Sequence, residues 1–154
     1  MGLSKLTISP VQLIYTYTPP RERVLVDSSV WVAFWLASDP QHEKGLKLVE
    51  KFSKEGQIYT HSVIAAEVIT VLRNRKAEHI DVIYKEILEE VYGIFDTTPF
   101  DLAAIQPYFL KFPKLSVVDA FLLYLTWERN YLLVTLDKNL YKAAKELGLK
   151  VIGI

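Results

Sequence analysis

Four carboxylates stand in the most apolar stretches of the chain: Asp27 closes the run 24–26, Glu67 interrupts 63–71, Asp119 splits 117–125 and Asp137 follows 132–136. An ionised carboxylate taken out of water unpaired is costly, so acids in such surroundings are paired with a base or bound to a metal. The segments around these four carry almost no Lys or Arg. Two such charges ~5 Å apart at an effective dielectric of about 20 repel by roughly 3 kcal/mol. A cluster of this kind wants a divalent cation. Its hard oxygen donors select Mg²⁺ or Mn²⁺ over zinc, which prefers the His and Cys that are scarce here.

Short β-branched runs alternate with longer segments of helical period from residue 23 onward, and these are the elements that must position the acids. The pattern predicts strands at 24–26, 58–60, 93–96, 132–135 and 151–154. Helices are predicted at 30–36, 43–54, 63–75, 82–90, 101–110, 117–128 and 138–147. Gly56 and Gly148 each follow a predicted helix and precede a strand, as helix stops do. The alternation predicts an α/β domain with a central parallel sheet of four to five strands, and right-handed crossovers put helices on both faces. Residues 1–22, which include Pro19-Pro20, read as an N-terminal appendage, and residues 23–154 as the domain.

Ligands of open α/β sheets bind outside the C-terminal ends of the strands. Asp27 and Asp137 fall at that edge of their own strands. Glu67 shares a helical face with Ile64, Val68 and Val71, and Asp119 opens a helix apolar nearly all round. A plainer role exists for three of them. Asp27, Asp119 and Asp137 each precede or open a helix, where an acid caps free N–H groups, and Ser116 with Asp119 spells a capping box. Capping does not account for Glu67, which lies well inside its helix, nor for four acids at one edge.

The remaining composition narrows the class. A chain of 154 residues fits one domain, and folding at that size buries roughly 68–70% of the unfolded surface. The formal net charge is zero, so nucleic acid binding must be local or metal-assisted rather than a global field effect. The lack of Cys excludes disulfides, thiolate metal sites and a Cys nucleophile, and is compatible with a reducing compartment. Every long apolar run is interrupted by a charged residue and the N-terminus lacks a signal-peptide pattern, so a cytoplasmic protein with no membrane partner is expected. No glycine-rich loop follows the first strand, against a dinucleotide or P-loop fold. Ser29 stands where a haloacid-dehalogenase phosphatase needs a second Asp, and Lys138 is offset from the position a phospho-receiver needs.

The runs Val24-Leu25-Val26-Asp27-Ser28-Ser29-Val30-Trp31, Ala65-Ala66-Glu67-Val68, Ser116-Val117-Val118-Asp119-Ala120 and Leu133-Val134-Thr135-Leu136-Asp137, in that order, resemble the PIN domain family. The resemblance runs from about residue 24 to the end. It implies a three-layer α/β/α sandwich and a metal-dependent ribonuclease that holds Mg²⁺ or Mn²⁺ through Asp27, Glu67, Asp119 and Asp137. The compact chain looks most like the VapC toxins of toxin–antitoxin pairs, which implies a homodimer, an RNA substrate and an antitoxin partner.

Ser29 stands where the family often has Asn, and its hydroxyl can serve the same metal-bound water or phosphate. Thr135 fits the family's hydroxyl residue before the last acid, in a supporting role behind the ligands. Arg73, Arg75 and Lys76, at the end of the Glu67 helix, form the best local basic patch for RNA, with complementation of the helix dipole as the plainer reading. His42, His61 and His79 fall outside the acidic motifs, which disfavours a His base; His61 follows a strand and reads as structural. Trp31, Phe34 and Trp35 read as packing residues. The rival class is a catalytically silent domain of the same fold that binds RNA or protein as a scaffold.

Overall fold

The computed structural model describes residues 21–88, 98–153 and the backbone of 95–96. In chain order the elements are β1 (Glu22–Val26), α1 (Ser28–Trp35), α2 (His42–Glu55), β2 (Gly56–His61), α3 (Ser62–Asn74), α4 (Ile80–Glu86), β3 (Phe95–Asp96), α5 (Leu102–Lys111), α6 (Val117–Arg129), β4 (Leu132–Val134), α7 (Lys138–Glu146) and β5 (Val151–Ile152). Every described element lies where the sequence pattern predicts one, with ends displaced by at most four residues. β1 starts two residues earlier than expected, because Glu22 and Arg23 pair with Gly56 and Gln57 at its exposed end. Residues 1–20 of the expected appendage 1–22, the expected helix residues 89 and 90 and the expected strand residues 93, 94 and 154 lie outside the described residues, while Glu22 belongs to β1.

The strands form one parallel sheet in the order β3-β2-β1-β4-β5. β1 is central, pairing with β2 through Val24↔Ile58 and with β4 through Val24↔Leu132. A strand covered on both faces should be apolar without alternation, and Val24, Leu25 and Val26 are all buried. The chain steps from β1 through β2 to β3 in one direction, then returns and steps from β4 to β5 in the other. With right-handed crossovers, α1–α4 therefore cover one face and α5–α7 the opposite face. This is the expected three-layer arrangement.

On the first face, α1 packs against α2 closely enough that a Cβ on Gly45 would lie 2.8 Å from the Ala33 Cβ, so only glycine fits this crossing. On the second face, α6 is the central helix. Its Ala120, Phe121, Leu122, Leu123 and Leu125 are fully buried, as its nearly continuous apolar sequence predicts. Truncating a side chain such as Leu122 or Leu123 to alanine should cost about 2–5 kcal/mol. Among the described residues no helix is long and apolar enough to cross a membrane.

The reversal of direction lies between β1 and β4. Strand order switches there, and the two connections leave the sheet on opposite faces, opening a crevice at the C-terminal ends of the strands. Helix N-termini α1, α6 and α7 all point to this end.

Candidate active site

Asp27 sits directly on the switch point. It is the N-cap of α1, and its backbone N–H donates to the Val134 carbonyl at 2.9 Å, tying the end of β1 to the end of β4. The side chain is only 2% exposed. Its Oδ2 accepts the Ser29 hydroxyl at 2.6 Å and the Thr135 hydroxyl at 2.9 Å, and the Ser29 N–H approaches it at 3.4 Å. Burial pushes the Asp27 carboxyl above its ordinary pKa, against the opposing pull of the Ser29 and Thr135 hydrogen bonds.

The same two hydroxyls stitch β1 to the loop after β4. Ser29 Oγ accepts the Leu136 N–H at 2.9 Å, and Thr135 Oγ1 accepts the Asp137 N–H at 3.0 Å. Asp137 itself caps α7, accepting the Leu140 N–H at 2.9 Å. Behind Thr135 runs β5, whose Ile152 carbonyl accepts the Thr135 N–H at 3.0 Å. Gly153, at φ +137°, then passes so close that a Cβ there would run into the Thr135 carbonyl. The chain order gave no sign that a residue so near the end of the sequence presses on the site.

Glu67 projects from α3 on the first face, half-buried beside the apolar Ile64 and Val68. Burial raises its pKa, the Ser28 hydroxyl opposes that, and the charges of Asp27 and Asp137 add to the rise. Asp119 arrives from the second face at the start of α6. It forms the predicted capping box, with the Ser116 N–H donating to Asp119 Oδ2 and the Asp119 N–H to Ser116 Oγ, both at 3.1 Å. Its pKa is pushed up to about 6, first by burial, then by the charge of Asp27 and, less, that of Asp137; the Ser116 hydrogen bonds work the other way.

All four acids therefore gather at one edge within electrostatic reach, and the three predicted caps are formed as well. The four differ in burial. Only Asp27 is fully buried, while Glu67, on the middle of α3, and Asp119 and Asp137, at helix N-termini, are half-buried at the open sheet edge. Among the described residues none of the four is in an ion pair, and no three close on a single point, since Asp27, Asp119 and Asp137 are turned onto their backbone caps.

A cleft of about 260 Å³ opens beside the acids, with Ser28, Ser29, Asp39, Gln41, Glu67 and Arg75 along it. Arg75 is the cation of this wall, and its guanidinium donates to Asp39 Oδ2 at 2.7 Å. Asp39 is the more enclosed partner, 14% exposed against 40% for Arg75, and its Oδ1 also accepts the Gln41 N–H at 2.8 Å. The basic run thus divides: Arg75 faces the cleft, Lys76 turns into a left-handed conformation along a neighbouring groove, and Arg73 is exposed. Asp39 was not among the residues singled out in the sequence; its one signal was the turn-forming Asp39-Pro40 pair. His61 is structural. Its Nδ1 accepts the Val63 N–H at 3.2 Å, so Nε2 carries the proton and donates to the Thr98 carbonyl at 2.6 Å.

The PIN domain model matches residues 24–146, a span that contains all four acids. The chain belongs to the PIN domain family. No curated protein sequence matches it. Among solved structures, VapC20 of Mycobacterium tuberculosis, a sarcin–ricin loop cleaving toxin, is similar with a TM-score of 0.62 at 16% identity, covering 85% of this chain and 98% of that one. FitAcB of Neisseria gonorrhoeae is similar with a TM-score of 0.60 at 16% identity, covering 84% and 96%. VapBC2 of Rickettsia felis, bound to a DNA fragment from its promoter, is similar with a TM-score of 0.53 at 14% identity, covering 84% and 97%. At these identities the likeness establishes the PIN fold of this chain.

The donor set of this PIN domain fits a divalent cation in its chemistry. Its candidate donor atoms are all carboxylate oxygens, the charges of Asp27 and Asp137 raise the pKa values of Glu67 and Asp119, and no described base neutralises them.

Proposed function

We propose that this PIN domain is a Mg²⁺- or Mn²⁺-dependent endoribonuclease and the toxin of a toxin–antitoxin pair. The carrying observation is the convergence of Asp27, Glu67, Asp119 and Asp137 at the β1/β4 switch point without a described cationic partner. These four residues hold the ion. A bound divalent cation supplies a nucleophilic water at neutral pH and Lewis-acid stabilisation of the phosphate oxygens.

The chain's own residues do the positioning. Ser29 and Thr135 fix the Asp27 carboxylate through hydrogen bonds of 2.6 and 2.9 Å. Thr135 simultaneously fixes the backbone of Asp137. Such supporting hydrogen bonds orient ligands and typically matter by 10–100-fold. Arg75 offers its guanidinium to an RNA phosphate entering the cleft, with Arg73 and Lys76 adding charge nearby. No side chain is needed as a nucleophile, and His61 is engaged on both ring nitrogens. The protein acts as a homodimer with an antitoxin that covers the acidic cleft. The VapBC2 and FitAB assemblies bound to DNA support a partner protein for this fold.

The test is cleavage of a mixed single-stranded RNA pool by wild type and Asp119→Asn, each with Mn²⁺ and with EDTA. Activity present only in wild type with Mn²⁺ is expected. Activity that survives in Asp119→Asn removes the four-carboxylate mechanism, and no cleavage in any lane favours the silent RNA- or protein-binding scaffold.

A further inference from the structure

Beside the acidic cleft lies a second groove of about 410 Å³, to which Lys76 turns. Two chain segments bound it, the end of α1 with the turn after it and the turn between α3 and α4. Asp39 and Arg75 join these segments by their 2.7 Å ion pair and face the cleft. Ser38 and Lys76, the very next residues along each segment, line the groove. Cleft and groove are therefore consecutive stations along one track, with the ion pair at their junction.

The groove is furnished for a nucleotide. Trp35 lines it as an aromatic plane set in advance, stacked on Trp31 at 5.3 Å and 24° and held through its Nε1 donating to Glu86 at 3.3 Å. Trp31 is buried core, as the sequence pattern predicts, but Trp35 is half-buried and lines the groove. Lys76 and His79 supply donors, and Glu78 supplies an acceptor. Among the described residues, neither the Lys76 nor the His79 side chain makes a hydrogen bond or ion pair. Both residues also hold left-handed backbone, at φ 56° and 57°. Non-glycine residues seldom adopt that conformation, and it concentrates at binding and active sites. The third described case, Asn130, simply ends α6.

We propose that this groove is the subsite for the nucleotide adjoining the scissile phosphate of single-stranded RNA. Trp35 stacks on the base, Lys76 and His79 contact the next phosphate, and Glu78 accepts from a base amino group. Stacking on an aromatic plane tolerates any base, so Glu78 is the element of selectivity. The proposal rests on the nuclease reading above, because the direction of the track is taken from the acids.

The experiment is binding of a single-stranded RNA hexanucleotide, in Mg²⁺, by fluorescence anisotropy in the Asp119→Asn background, with salt varied. Lys76→Gly gives glycine the left-handed backbone it favours, so the fold should be as stable or more so while RNA affinity falls about three- to tenfold. The slope of log affinity against log salt should flatten by about 0.7. Trp35→Leu should weaken binding about tenfold and abolish quenching of tryptophan fluorescence by the RNA. Unchanged affinity and slope in Lys76→Gly with unchanged affinity in Trp35→Leu overturn the subsite and leave the groove to a protein partner. Failure of the parent to bind the hexanucleotide overturns it as well. Failure of the wild type to cleave RNA refutes the nuclease reading instead, and these binding results stand apart from it.

Discussion

The two ends of the sheet treat charge in opposite ways. At the N-terminal end, Glu22 meets Lys150 at 3.0 Å, Arg23 lies over the Tyr131 ring at 5.1 Å, and Arg21 donates to the Ser53 and Lys54 carbonyls at 3.1 and 3.0 Å. Charges there are paired, exposed and locally satisfied. At the C-terminal end, Asp27, Glu67, Asp119 and Asp137 lie within electrostatic reach of one another with hydroxyls and backbone N–H groups for company and no described base. The same strands build both ends. A protein selected for stability alone would pair the second set as it pairs the first, and the proposed cation would relieve the repulsion left at this end.

The sharpest way to break this contrast is Asp119→Asn, which preserves the capping geometry and removes one charge. Cleavage should fall about 1,000-fold or more, of the order of a lost metal contact in a hydrolytic site, measured as initial rate on single-stranded RNA. Adding a divalent cation tests the same asymmetry from the other side. Mn²⁺ at ~100 times its Kd should raise unfolding free energy by about 2.7 kcal/mol in urea titrations, and EDTA should reverse it. A protein whose midpoint ignores Mn²⁺ does not hold the ion at this edge.

Thr135→Val removes the hydroxyl shared by Asp27 and Asp137. Activity should drop about 10–100-fold, with restoration in Thr135→Ser, because the serine hydroxyl reaches the same two partners. The pH dependence follows next in size. The Asp119 pKa is raised from 3.8 to about 6 in the folded protein, so the folded state binds more protons than the unfolded one between those values. Its contribution is fully present below pH ~4 and lost as pH rises through about 6. The metal-free protein should lose about 1–2 kcal/mol over that window once screening of this half-exposed group is allowed for. Asp119→Asn should flatten that part of the urea-derived profile. Glu22→Gln, at the paired end, should change stability by less than about 1 kcal/mol and leave cleavage untouched. A large loss there would mean that the two ends are not as different as their contacts indicate.

The order of strands and helices and the identity of the four acids were legible in the residues themselves. Hydrophobic period is a local property, and an acid embedded in an apolar run stands out wherever the chain later goes. The capping roles of Asp27, Asp119 and Asp137 were legible for the same reason, since a cap binds within three residues of itself. Long-range geometry was not. Arg75 was picked out as one of a basic run, yet its pairing with Asp39 joins residues 36 positions apart. Trp35 looked like core beside Trp31, and only the placement of the α3–α4 turn left it lining a groove. Gly153 carried no local signal, because the feature that requires glycine is the Thr135 backbone brought alongside by strand pairing. Sequence by itself determined which residues are chemically out of place and which elements carry them. Tertiary structure alone decided that Asp27 is fully buried while its three companions stay half-open, because burial depends on which faces of the sheet the connecting helices cover.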